Sequence, residues 1–193
     1  MAVERIEMAL LKENPETLMT GEELLQHPEL GRCELVDGRI VPLPPTEPTH
    51  GSIEINLGSE LRAWARSSGK GKVSVGDVGI YLRRNPDTVR APDVLYISNE
   101  RYSQYVGSGF LNVAPELVAE VLSPNDPWSE VTEKVEAFLR AGVDRVWVVD
   151  PRLRRISSYW TPTKVRHFHE GETLSDEELL PGFQLDVSEI FRI

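Results

Sequence analysis

The stretch PELVAEVLSP, residues 115–124, reads as an apolar strand with one acid, Glu120, in its middle. Leu117, Val118, Ala119, Val121 and Leu122 leave it no polar face, so both of its sides must be covered. A lone carboxylate in such a strand is expensive unless something pairs with it. A second acid, Asp93, opens another apolar run, DVLYI. If the two runs are neighbouring strands, both carboxylates can face one helix-covered side, where they repel and one is pushed towards its neutral form. A divalent cation removes that conflict. Mg²⁺ is typically held by one or two carboxylates together with waters and substrate phosphates, and the backbone carbonyl of Val121 is a candidate further ligand.

Lys134 is the third residue out of place. It lies three residues after Val131 and four before Phe138, on the flank of an apolar helical stripe and apart from Glu133, Glu136 and Arg140. A lysine there can snorkel to solvent. It can also reach a carboxylate at the sheet, because its helix follows the Glu120 strand after a short turn. His50 is read as preceding the first long helix, one turn before Ile53 and Glu54. It is either an N-terminal residue without a role or a group facing the carboxylates, as a proton carrier or a contact to a metal-held water. Taken singly, these are a strand-entry Asp, a rim Glu and a snorkelling Lys. Taken together, in this order and on these elements, they read as a site.

The elements that must hold them follow from pattern. CELVDGRIVPLP is a hairpin turned at Asp37-Gly38, and PLPPTEPTH is an extended Pro-rich linker. Ile53, Leu57, Leu61 and Trp64 share one face of a helix that ends at Gly69. KVSVGDVGIYL alternates as one strand, and APDVLYIS is another that starts at Pro92. PWSEVTEKVEAFLRAGV is a second helix, with Gly142 as its stop, and DRVWVVDP is an apolar strand. RRISSYW and KVRHFHE form a further hairpin. LLPGFQLDVSEIF closes the chain with a turn, a short strand and a helical turn. The first 30 residues are polar and helical in pieces, with a cap-like Thr20. The resulting fold is α/β: a mixed sheet flanked by helices, with a parallel strand pair and right-handed crossover at 116–149. We expect a single domain over 1–193, with 1–30 an extension.

Composition sets limits. With 193 residues, 40% hydrophobic and 27% charged, the chain suits one globular core. No apolar run approaches the roughly 18 residues of a membrane helix, and the acidic N-terminus does not read as a secretory signal. No membrane partner is therefore expected. Cys33 is the only cysteine, which rules out an internal disulfide and a Cys-based zinc site. A cytoplasmic location is the default. The net charge of −10 argues against a protein that coats DNA. Basic residues do cluster in YLRRNPDTVR and PRLRRISSYW, where the plainest reading is a solvated turn.

From residue 33 onwards the chain resembles the Uma2 family, within the PD-(D/E)XK nuclease superfamily. The resemblance rests on CELVDGRIV, PTHGSIEINLGSEL, APDVLYIS, PELVAEVLSPND, EKVEAFLRAGVDRVWVVDP and LLPGFQLDVSEIF, in order. It implies a restriction-endonuclease-like αβββαβ core, with an N-terminal hairpin and a C-terminal β extension. It implies that Asp93 and Glu120 are the motif's two acids and bind Mg²⁺ or Mn²⁺. The motif's usual lysine place, two after the second acid, holds Leu122; Lys134 matches the position to which such sequences move it. Glu34 and His50 match positions of the same residue types. The implied chemistry is hydrolysis of DNA phosphodiesters: the metal polarises the phosphate and acidifies a water, while Lys134 orients that water or offsets developing charge. A homodimer is expected, since a two-fold pair suits cutting both strands of a duplex.

Three rivals stand beside this reading. One is a nuclease-like fold without activity that binds nucleic acid or protein. Another is a different metalloenzyme using His167 and His169, which share one face of a strand. The last is an interaction module that dimerises through its first 30 residues or its end hairpin.

Overall fold

The computed structural model describes residues 18–124 and 126–193; the helical pieces expected over residues 1–17 lie outside the described residues. Thr20 caps the short helix α1 (Gly21–Leu25) through a reciprocal capping box with Glu23. A 3₁₀ turn, Pro28–Leu30, leads into β1 (Cys33–Val36) and β2 (Arg39–Pro42). Asp37 and Gly38 both have positive φ, 53° and 75°, as a two-residue hairpin turn demands.

The Pro-rich linker ends earlier than its composition suggests. Helix α2 runs over Pro48–Ser68, with Pro48 in its first turn, where a missing N–H does no harm. His50 therefore sits inside the first turn of α2 and not ahead of it. The expected face is buried: Ile53, Leu57 and Leu61 are 1% exposed or less, and Trp64 is 9%. Gly69 takes the left-handed conformation that ends the helix.

KVSVGDVGIYL is not one strand. It divides into β3 (Gly71–Val75) and β4 (Ile80–Arg83), which belong to different sheets. The break falls at Gly76 and Asp77, both at positive φ, where an alternating strand cannot continue. β4 turns back as β5 (Thr88–Arg90) and pairs with the first hairpin, giving a four-stranded sheet in the order β2-β1-β5-β4.

The main sheet collects β6 (Val94–Ser98), β7 (Leu117–Val121), β8 (Arg145–Asp150), β9 (Arg155–Thr161) and β10 (Lys164–His169) with β3, in the order β10-β9-β8-β7-β6-β3. Between β6 and β7 lies one helical turn, α3 (Asn99–Tyr102). Helix α4 (Trp128–Arg140) crosses from β7 to β8, and these two strands pair in parallel, as expected. A small ladder, β11 (Thr173–Leu174) with β12 (Leu185–Asp186), and the turn α5 (Val187–Ile190) complete the chain.

The pleat decides which helix each side chain meets. Leu117, Ala119 and Val121 of β7 pack with Ile53, Leu57 and Leu61 of α2. Val118 packs on the opposite side with Val131, Val135 and Phe138 of α4. By the same alternation Glu120 faces α4. Where β3 meets β6, Gly71 leaves no space: a Cβ there would lie 2.4 Å from the Ile97 carbonyl oxygen and 2.9 Å from the Ser98 Cα. Backbone cannot give way as a side chain can. Gly71→Ala is expected to lower stability by about 1–3 kcal/mol, measured as a reduced urea midpoint with an unchanged slope.

Candidate active site

The site forms where the C-terminal end of β7 meets the start of β6. β6 and β7 are antiparallel neighbours, with Val94 opposite Ala119, so Asp93 and Glu120 lie side by side one position further on. Asp93 is 8% exposed, and its Oδ2 accepts the Val121 N–H at 2.7 Å. That bond fixes the carboxylate against β7. It also commits the Val121 N–H, while Val121 itself lines the same pocket.

Two groups of charged side chains meet across this point. On the α2 side, the Nε2 of His50 stands 3.4 Å from Asp93 Oδ2. Glu54, one helical turn further, joins them, and the ligand atoms of His50, Glu54 and Asp93 all lie within 4.8 Å of one another. The i,i+4 spacing of His50 and Glu54 on α2 makes that convergence possible. The hydrogen bond to Asp93 raises the His50 pKa, and burial opposes the rise. Burial, followed by the nearby Asp93 charge, raises that of Glu54.

On the α4 side, Lys134 Nζ is 3.1 Å from Glu120 Oε2 and 3.9 Å from Glu34 Oε1. Lys134 thus turns inwards to the sheet and does not snorkel away. Glu34, only 1% exposed, reaches in from β1 of the smaller sheet. It accepts from Arg90 Nη1 at 2.6 Å and from the Ala91 N–H at 3.0 Å. Burial pushes the Glu120 carboxyl up to about 8; Lys134 pulls against this, while Asp93 and Glu34 add to it. One ammonium cannot offset burial and two further carboxylates. Burial also penalises the Lys134 charge, yet Glu120 and Glu34 outweigh that and hold its pKa above the ordinary value.

His50 and Asp93 from the one group and Glu120 and Lys134 from the other line one small pocket of about 90 Å³, together with Val121. Arg32 braces its wall, pairing with Asp77 at 2.6 Å and donating to the Pro44 carbonyl and the Thr46 hydroxyl of the linker. Larger pockets adjoin on each side, of about 220 Å³ and about 170 Å³.

A hard divalent cation fits this donor set. The carboxylates of Asp93, Glu54 and Glu120 are hard oxygen donors, and the His50 imidazole adds a nitrogen that other divalent metals also accept. Glu120 divides its two oxygens: Oε2 is taken by Lys134, whereas Oε1 is buried and has no hydrogen-bond partner among the described residues. His50 Nδ1 is buried without a partner among the described residues as well. Orphaned polar atoms of this kind are costly unless a ligand, ion or water meets them.

The structure therefore brings together Asp93, Glu120, Val121, Lys134 and His50. Sequence reasoning missed Glu54, although its i,i+4 relation to His50 was a usable signal, and it missed Arg90 as the partner of Glu34. His167 and His169 are elsewhere, exposed on β10, with His167 Nδ1 at 2.9 Å from Ser157 Oγ. Among the described residues they join no cluster with metal-binding geometry.

Fold and site define a restriction-endonuclease-like α/β protein. The model of the Uma2 family, described as "Putative restriction endonuclease", matches residues 22–188, and the chain belongs to this family. The fold is similar to that of a solved protein described as "a putative nuclease belonging to DUF820 from Anabaena variabilis". The two are 19% identical with a TM-score of 0.74, over 90% of this chain and 97% of that one. No curated protein matches the sequence.

Proposed function

We propose that this protein is a Mg²⁺- or Mn²⁺-dependent endonuclease that hydrolyses DNA phosphodiesters. The observation that carries the reading is the divided Glu120 carboxylate, with one oxygen on Lys134 and the other buried next to the Asp93 position without a hydrogen-bond partner among the described residues. A bound divalent ion supplies Lewis-acid polarisation of the phosphate and acidifies a water. Asp93 and Glu120 would hold it, with the Val121 carbonyl, Glu54 and His50 as the further groups available to it. Lys134, fixed one carboxylate away, donates to the attacking water or to a phosphate oxygen as charge develops there. Water adds to phosphorus, and the P–O bond to one sugar oxygen breaks. His50 is the group placed to carry the proton released. Family membership and the fold of the DUF820 protein support this reading.

The protonation pattern gives a test. Glu120, His50 and Glu54 all have raised pKa values in the folded chain. Groups raised in this way contribute stability below their unfolded pKa and lose it as pH rises through the folded value. Metal-free protein is therefore expected to melt at a higher temperature at about pH 6 than at about pH 8.5. Mn²⁺ must displace those protons, so its stabilising effect runs the other way and is larger at about pH 8.5. Thermal melts with and without Mn²⁺ at both pH values check this. A melting temperature unmoved by millimolar Mn²⁺ at either pH would contradict the metal site.

A further inference from the structure

We infer that the pocket beside the metal site, walled by Trp128, stacks a nucleobase, so that the preferred substrate is an unpaired nucleic-acid strand. The inference rests on the nuclease reading for its chemistry, but on separate residues for its geometry. The pocket holds about 220 Å³, room for one base. It shares His50, Ser123 and Asp126 with the metal pocket, so a base lodged there places its own phosphate next to Asp93 and Glu120.

Trp128 is 52% exposed at the first position of α4. Among the described residues its ring has no aromatic or cationic partner. The other tryptophans are committed: Trp64 and Trp147 pack on Tyr96 and Phe183 in the core, and Trp160 carries Arg145 and Lys164. Leu153, 53% exposed, lines the same pocket with Pro151. Large apolar side chains left open beside a polar site mark a surface that binds something.

Charge separates an unpaired strand from a duplex. Duplex binding draws on many phosphate contacts from free Lys and Arg. Here the arginines of the two basic clusters are largely spent inside the protein: Arg83 on Asp37, Arg84 on Glu22, Arg90 on Glu34 and Arg154 on Glu170. Arg152, on the rim of the pocket, makes no ion pair among the described residues and is left for one phosphate. With a net charge of −10 besides, affinity must come from stacking more than from phosphate contacts. A base inside a duplex is already stacked on both faces and must leave the helix, at a cost of about a few kcal/mol, to reach Trp128.

The test reads binding without cleavage, in EDTA, using short labelled oligonucleotides: single-stranded DNA, single-stranded RNA and a blunt DNA duplex. Wild-type protein is expected to bind the single strands with a shallow salt dependence and with quenched tryptophan fluorescence. The duplex should bind much more weakly. Trp128→Ala should weaken single-strand binding roughly tenfold or more and remove the quench, whereas Trp128→Phe keeps most of the affinity. The DNA and RNA arms show whether the sugar is also read. Equal binding by wild type and Trp128→Ala, or a duplex bound as tightly as the single strand, would overturn the proposal. Because binding is read in EDTA, a failure here is distinguishable from an absence of metal-dependent cleavage.

Discussion

Glu120→Gln is expected to abolish metal-dependent cleavage, by roughly a thousandfold or more, while leaving a protein that melts no lower than wild type without metal. The first half follows from losing a carboxylate whose buried Oε1 has no hydrogen-bond partner among the described residues. The second half follows from electrostatics. The metal-free fold carries Glu120 at a cost, since burial, Asp93 and Glu34 all disfavour its charge. A neutral amide of the same shape removes that cost, and Lys134 keeps Glu34 as a partner at 3.9 Å. The substitution should also flatten the fall in melting temperature above about pH 6 and suppress the Mn²⁺ response. Melting curves across pH, set beside cleavage rates, check all three. A variant that melts well below wild type at about pH 8 would show that Glu120 is a structural ion pair and little else.

Lys134→Met is expected to be as inactive and to behave oppositely in stability. Removing the ammonium leaves Glu120 and Glu34 facing each other in a buried place, with Asp93 nearby. Breaking a buried pair from one side costs about 3–5 kcal/mol, so the metal-free variant should melt far below wild type at neutral pH and recover towards acid pH. Because the three carboxylates remain, Mn²⁺ should restore stability, and its effect should exceed that in wild type. Arginine is not an adequate replacement, since a planar guanidinium cannot occupy the place of a compact ammonium at 3.1 Å from Glu120 Oε2. Denaturant titrations of both variants, with and without Mn²⁺, separate the two roles: one residue holds a cation, and the other neutralises the carboxylates around it.

The parts of this site that were legible in the sequence were those that break a local rule. Glu120 interrupts an apolar strand, Asp93 opens one, and Lys134 sits on the wrong flank of its helix; each conflict is visible within a few residues. The parallel crossover from β7 to β8 was legible for the same reason, since a strand, a helix and a strand follow in order. What could not be read depended on pairings distant in the chain. Glu34 matches a family position, but its partner Arg90 lies 56 positions later and no local pattern joins the two. β4 and β5 were hidden because their turn, Arg83 to Asp87, reads as a polar loop, and because the break at Gly76 and Asp77 is a matter of backbone angle and not of hydrophobic pattern. His50 was set outside α2 because the prolines before it suggested a linker, although Pro48 is well suited to a first helical turn.

The central claim is that Glu120 and Lys134 form a metal-dependent phosphodiesterase centre. It is tested most directly by incubating circular single-stranded DNA, with supercoiled plasmid in parallel, with purified protein in Mn²⁺, Mg²⁺ or EDTA, beside Glu120→Ala and Lys134→Ala. Cleavage of the single-stranded circle that requires the divalent ion and disappears in both variants is the predicted result. Cleavage that survives either substitution or proceeds in EDTA, or no cleavage of either DNA in any condition, would contradict a metal-dependent centre at these residues.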